Sequence, residues 1–331
     1  MDQPKLAIAA LGGTVSMQAR NAEEGVFPTI SGETLLTSAP QIMTLARVTV
    51  ETLGLLPSAS LDFEFLLSVL SWANFQIKQG AVGVVITQGT DTLEETATFF
   101  DHLWDHDEPL VLTGAMRSAA QTGAEGPANL LDACRVALAE NSRRRGVQVV
   151  MNGQIHQASV VRKTDSLALQ AFSSPIFGPA GMLVEETVRY LRQPAQRRVL
   201  PLPKKTTQKI ALLQATLSAD TLLLENILEL GYDGLVISAF GAGHLSKSWA
   251  DIVEKIAERI PVIIATRTGS GSTAQSSYGF MGSEMDLIRK GASMAGFLCP
   301  RKARILLWLL MGCQRQAELA RYLKEDIRFQ N

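Results

Sequence analysis

The chain has 331 residues, 46% of them hydrophobic and 19% charged, with a formal net charge of −1 at pH 7. That length allows two domains with a core each, and the near-neutral balance excludes a general affinity for nucleic acid or an anionic membrane. No basic segment followed by an apolar one opens the chain, and its longest apolar run, residues 305–311, is too short to span a bilayer. A cytoplasmic protein is therefore expected.

In chain order, Ile8-Ala9-Ala10-Leu11 reads as a buried strand that ends in Gly12-Gly13-Thr14. Residues 16–29 are polar and aperiodic, a long loop of the kind that covers sheet edges. Ser31 opens a short helix to Thr37, and 48–53 is the next strand. Pro57-Ser58-Ala59-Ser60 leads into a helix with Leu66, Leu70, Ala73 and Ile77 on one face, stopped by Gly80. Residues 82–87 form a buried strand, followed by Gln88-Gly89-Thr90-Asp91 and a helix over 92–104. Thr92 and Glu95 have the spacing of a capping box. A hydroxyl and a carboxylate thus stand where a strand ends and a helix begins, the place where open α/β sheets bind ligands, and where free N–H groups favour anions.

Further strands are expected at 110–113, 147–151 and 158–161, with a helix opening at Gly126-Pro127. His102 and His106 are four apart without a zinc helix's neighbouring glutamate, and read as a solvated polar face. Cys134, Cys299 and Cys313 fit no metal or Cys-x-x-Cys spacing and read as reduced. Three prolines and six basic residues between Tyr190 and Lys209 mark an interdomain linker. Beyond it come strands at 210–214, 234–238 and 261–265, helices at 219–229 and 246–258, and trailing helices at about 301–312 and 315–325. The expected fold is α/β: a larger N-terminal domain, 1–190, with a mixed or parallel sheet, a linker at 191–209, and a smaller parallel-sheet domain at 210–331.

Two Gly-Thr turns, with the string Gln88-Gly89-Thr90-Asp91-Thr92-Leu93-Glu94-Glu95-Thr96-Ala97, resemble the two signatures of the bacterial-type L-asparaginase (asparaginase/glutaminase) family. The later order is similar too: Gly114-Ala115-Met116-Arg117, Gly126-Pro127-Ala128-Asn129-Leu130, Lys163, Tyr278-Gly279-Phe280 and Lys302-Ala303-Arg304. The resemblance implies an amidohydrolase acting on L-asparagine without metal or cofactor. Its partners would be the small-molecule substrate and further copies of itself, as a homodimer or homotetramer. It implies Thr14 as nucleophile and Thr90, Asp91 and Lys163 as the accompanying catalytic set. Ser58 would hold the substrate's α-carboxylate and Asp91 its α-ammonium, with Gly13, Ala59, Gly89 and Ala115 lining the pocket. His244, in Gly241-Ala242-Gly243-His244, falls where the family's C-terminal domain approaches a partner's site. One departure stands out: the family's first-loop tyrosine has no counterpart in Gly25-Val26-Phe27-Pro28, the nearest tyrosine being Tyr190. The alternatives are therefore a glutaminase-asparaginase of broad or low activity, or an impaired protein that binds aspartate or asparagine.

Overall fold

The computed structural model describes residues 3–13, 17–19, 26–194 and 196–325, with backbone alone at 17–19, 26–28 and 325. Two units are separated, Met1–Ala195 and Gln196–Asn331. In the first, β1 (Lys5–Ala10), β2 (Arg47–Thr52), β3 (Ala81–Thr87), β4 (Leu110–Thr113) and β5 (Val147–Met151) run parallel in the spatial order β2-β1-β3-β4-β5. Leu6 to Ala10 are all buried, as strands covered on both faces must be. Leu6, Ile8 and Ala10 join Val85, Val111, Leu130 and Val136 in one core cluster; full burial of a side chain such as Leu130 contributes about 1.5–3 kcal/mol. The helix Phe63–Lys78 is capped by Asp62, whose carboxylate accepts the Phe65 N–H at 2.8 Å, and buries Leu66, Val69, Leu70 and Ala73 on its i, i+3, i+4 face.

Beside β5, the strands β6 (Gln154–Gln157), β7 (Gly181–Val184) and β8 (Thr187–Tyr190) add on antiparallel and complete an eight-stranded sheet. The strand expected at 158–161 does not form, and β6 lies four residues earlier. Asn152 (φ 51°) and Gly153 (φ 72°) sit in left-handed backbone between the paired Met151 and Gln154. They make the two-residue hairpin turn that an Asn-Gly pair favours. Within 16–29, expected to be irregular, Met17–Ala19 pairs antiparallel with Val26–Pro28. The histidine reading also needs correction: His102 is buried, and His106 Nε2 hydrogen-bonds Asn74 Oδ1 at 2.8 Å with its ring edge-on to Trp104. Among the described residues no cluster of His, Cys, Asp and Glu could hold a metal ion, and the three cysteines are free and buried.

The second unit carries β9 (Ile210–Gln214), β10 (Gly234–Ala239), β11 (Val262–Thr266) and β12 (Ser293–Met294), parallel and in chain order. The helix expected at 219–229 shrinks to Leu222–Glu225; Leu224 and Ile227 are buried in the core, while Leu222, Leu223, Leu228 and Leu230 are exposed. A helix at Glu284–Arg289 and the strand β12 had no expectation. Ile305 to Leu310, inside the helix Pro300–Gly312, are buried all round, so the apolar run is core. Among the described residues no helix is long and apolar enough to cross a membrane.

Candidate active site

The strand order β2-β1-β3-β4-β5 reverses direction between β1 and β3, and the crevice outside the carboxyl ends of such a pair is where open sheets bind ligands. The turns leaving β1, β2 and β3 meet there because glycine lets their backbones touch. A Cβ on Gly13 (φ +82°) would lie 2.0 Å from Gly89 N, and one on Gly89 would lie 2.6 Å from Ser58 Oγ. Ser58 is buried, and its Oγ accepts the Asp91 N–H at 3.2 Å. Gly13, Ser58, Gly89, Thr90 and Asp91, far apart in sequence, are thereby brought together. Thr14 lies outside the described residues.

Lys163 arrives from a separate element. It sits on the two-residue strand Arg162–Lys163, paired antiparallel with Phe172–Ser173. Its Nζ donates to Thr90 Oγ1 at 2.9 Å and to Asp91 Oδ1 at 2.8 Å. The Thr90 side chain is buried, whereas the Asp91 side chain is 69% exposed and the Lys163 side chain 16%. The arrangement is therefore a cation pinned between a buried hydroxyl and a carboxylate open to solvent.

Ala59 is exposed beside Ser58. Ala115 has its side chain fully buried in the core cluster, so only its backbone could face a ligand. Several residues around the site were given no role there by the sequence. Thr92 Oγ1 donates to Ser58 O at 3.0 Å instead of capping its helix, so the capping box is not realised. Gln88, fully buried, donates from Nε2 to Gly89 O at 3.2 Å. Glu94, also buried, accepts the Lys163 N–H at 3.0 Å. Asn129 Nδ2 donates to Gly114 O at 3.0 Å while its Oδ1 accepts the Asn152 N–H at 2.9 Å, tying the turn after β4 to the β5–β6 hairpin. A local asparagine in a Gly-Pro-x-Asn-Leu string could have flagged the last of these; Thr92 and Glu94 depend on remote partners, and the Gln88 bond stays within its own turn.

Tyr190 cannot stand in for a loop tyrosine. It lies on β8, the far edge of the sheet, with its hydroxyl bonded to Gln148 and Ser142 and the Arg145 guanidinium 3.6 Å over its ring. In the second unit His244 Nε2 stands 3.3 Å from Glu284 Oε2, with the rings of Tyr278 and Phe280 edge-on to the imidazole. Burial pushes the Glu284 carboxyl up, but the N–H groups of Tyr278 and Ser277 outweigh it and hold the group below its ordinary value.

Two family models match: Asparaginase, N-terminal, over residues 5–196, and the Glutaminase/Asparaginase C-terminal domain over 209–323. The chain is 32% identical to a probable periplasmic L-asparaginase of Haemophilus influenzae, over 98% of this chain and 93% of that one. It is 31% identical to L-asparaginase 2 of Escherichia coli, over 93% and 89%. The crystal structure of a probable cytoplasmic L-asparaginase from Campylobacter jejuni superposes with a TM-score of 0.89 at 29% identity, covering 98% of this chain and all of that one. With both of its domains matched in order, this chain belongs to the asparaginase family.

Proposed function

We propose that this chain is an L-asparaginase that converts L-asparagine to L-aspartate and ammonia, with Thr14 as nucleophile and Thr90, Asp91 and Lys163 as its catalytic set. The observation that carries the reading is the Lys163 ammonium held within hydrogen-bond reach of both Thr90 Oγ1 and Asp91 Oδ1, at the sheet's switch point. Thr14 Oγ1 adds to the carbon of the substrate's side-chain amide, and its proton passes to Thr90 Oγ1, which hands its own to Lys163 Nζ. Lys163 receives it as a neutral amine, having first passed one ammonium proton to the Asp91 carboxylate 2.8 Å away. Backbone N–H groups of the glycine turns stabilise the oxyanion; losing one such donor typically costs about 10²–10³ in rate. The amide nitrogen takes the relayed proton and leaves as ammonia, and water then hydrolyses the acyl-threonine to free aspartate.

Binding follows from the same bonds. Because Ser58 Oγ already accepts the Asp91 N–H, its own proton is available to donate to an α-carboxylate. The exposed Asp91 carboxylate is open to an α-ammonium. Gly13, Ala59, Gly89 and Ala115 line the pocket in this reading. The enzyme works as a cytoplasmic homodimer or homotetramer, without metal or cofactor, and its chain divides into 1–190, a linker at 191–209 and 210–331.

Ammonia release from purified protein at neutral pH, with L-asparagine and L-glutamine side by side, tests the proposal. Release from asparagine well above glutamine is expected. Comparable rates would make it a glutaminase-asparaginase. No release from either, with L-aspartate still raising the Tm, would refute turnover and leave a binder that lacks the loop tyrosine.

A further inference from the structure

We infer that Glu94 is a positioning residue: its buried carboxylate fixes the main chain at Lys163 and thereby places the Lys163 ammonium on Thr90 and Asp91. Its kinetic consequence rests on the L-asparaginase reading; its structural one does not. Lys163 belongs to a two-stranded ribbon, Arg162–Lys163 with Phe172–Ser173, that has no ladder to the eight-stranded sheet. A lysine side chain is a flexible four-carbon stem, so where its nitrogen sits depends on where its Cα is held.

Two bonds from one helix, Leu93–Asp101, hold that segment. Glu94 Oε2 accepts the Lys163 N–H at 3.0 Å, and Thr98 Oγ1 donates to Ala158 O at 3.1 Å while also reaching Glu94 O at 2.9 Å. Both side chains are 2% exposed. The carboxylate lies in the helix's first turn, where free N–H groups and the positive end of the dipole favour it.

The bonds close a ring. The helix start that presents Thr90 and Asp91 to the Lys163 Nζ also grips the Lys163 backbone through Glu94, so both ends of the lysine are anchored to one rigid element. Without Glu94 the ammonium would still be present, and the ribbon pairing to Phe172 would remain, but the bond that ties the Lys163 backbone to the helix presenting Thr90 would be gone. A misplacement of about 1 Å is enough to lower turnover about 100-fold.

The test compares Glu94→Gln, Glu94→Ala and Glu94→Asp with the wild type, by steady-state kinetics on L-asparagine and by amide hydrogen exchange over peptides spanning 158–166. The Gln amide oxygen still accepts the N–H, whereas Asp keeps the charge and withdraws the acceptor. Expected are a fall in kcat of about 10- to 100-fold for Ala and Asp, with KM within about threefold and faster exchange at 158–166. Glu94→Gln stays within about threefold of wild type in kcat and exchanges like it. If Glu94→Ala does not fold, the Asp and Gln pair carries the comparison. Wild-type kcat and exchange in Ala and Asp, or a Gln variant as impaired as Ala, would overturn the inference with the reading intact. A wild type that releases no ammonia would refute the reading and the kinetic consequence together, and the exchange comparison would still decide whether Glu94 holds the segment.

Discussion

Replacing Lys163 by methionine keeps an unbranched stem of similar length and removes the ammonium, which separates catalysis from stability. Two bonds vanish, at 2.9 Å to Thr90 Oγ1 and 2.8 Å to Asp91 Oδ1. The Asp91 side chain is 69% exposed, so solvent screens the ion pair and its loss costs at most about 1 kcal/mol. The bond to the buried Thr90 hydroxyl adds about 1 kcal/mol. A total of about 1–2 kcal/mol should lower the Tm by roughly 2–8 °C in a unit of this size. Proton transfer by a positioned group is typically worth about 10²–10⁴ in rate, or about 3–5 kcal/mol of transition-state free energy. The expected result is thus a kcat lowered at least about 100-fold in a protein that still folds cooperatively. Coupled ammonia detection and scanning calorimetry on one preparation measure both. A Lys163→Met variant with kcat within about tenfold of wild type would refute the relay.

Thr92→Val removes the donor to the Ser58 carbonyl at 3.0 Å, and should weaken L-aspartate binding and raise KM about fivefold with little change in kcat, as titration calorimetry and kinetics would report. Unchanged KM would show that Ser58 needs no such support. Gly89→Ala puts a methyl 2.6 Å from Ser58 Oγ and 2.9 Å from its Cβ, which should destabilise the protein by about 1–3 kcal/mol in denaturant titrations; a wild-type midpoint would argue against the close packing of the turns. The Glu284 carboxyl is held below its ordinary 4.5, so its contribution to stability is present above that pH and is lost as pH falls through the lower folded value. Wild type and Glu284→Gln should accordingly differ most in Tm near neutral pH and converge as the pH falls through that lower folded value; a gap that widens in acid would reverse the sign.

The strands that frame the site were legible because each is a short apolar run closed by a glycine or a polar turn: 82–87 became Ala81–Thr87, and 110–113 and 147–151 matched β4 and β5. β6 was hidden by its own chemistry. Gln154-Ile155-His156-Gln157 looks like a surface segment, yet His156 is fully buried, with its Nδ1 2.9 Å from Ser174 Oγ. The Asn152-Gly153 pair announced the hairpin, but its weight depends on recognising a polar strand on its far side. At 219–229 the opposite happened. A helix was expected over its whole length, yet only Leu222–Glu225 is helical, and Leu222, Leu223 and Leu230 are among the more exposed apolar residues of those described.

Thr92 shows why the supporting residues could not be read in the same way. Local chemistry offers it a helix N–H, which a threonine cap satisfies for about 1 kcal/mol, and Glu95 has the right spacing to complete the box. The competing partner, Ser58 O, is 34 residues away and belongs to a buried serine. That carbonyl already accepts the Leu61 N–H at 3.2 Å and takes the Thr92 hydroxyl as a second donor, while the Glu95 N–H is satisfied by Thr92's own carbonyl at 3.0 Å. With that N–H already paired, the hydroxyl is free for the remote bond, and Glu94 likewise reaches the Lys163 N–H, 69 residues on. A sequence motif displays the groups that meet substrate because turn geometry demands them in a fixed order. The groups that hold them in place answer to desolvation, which is decided only once the chain has closed around them.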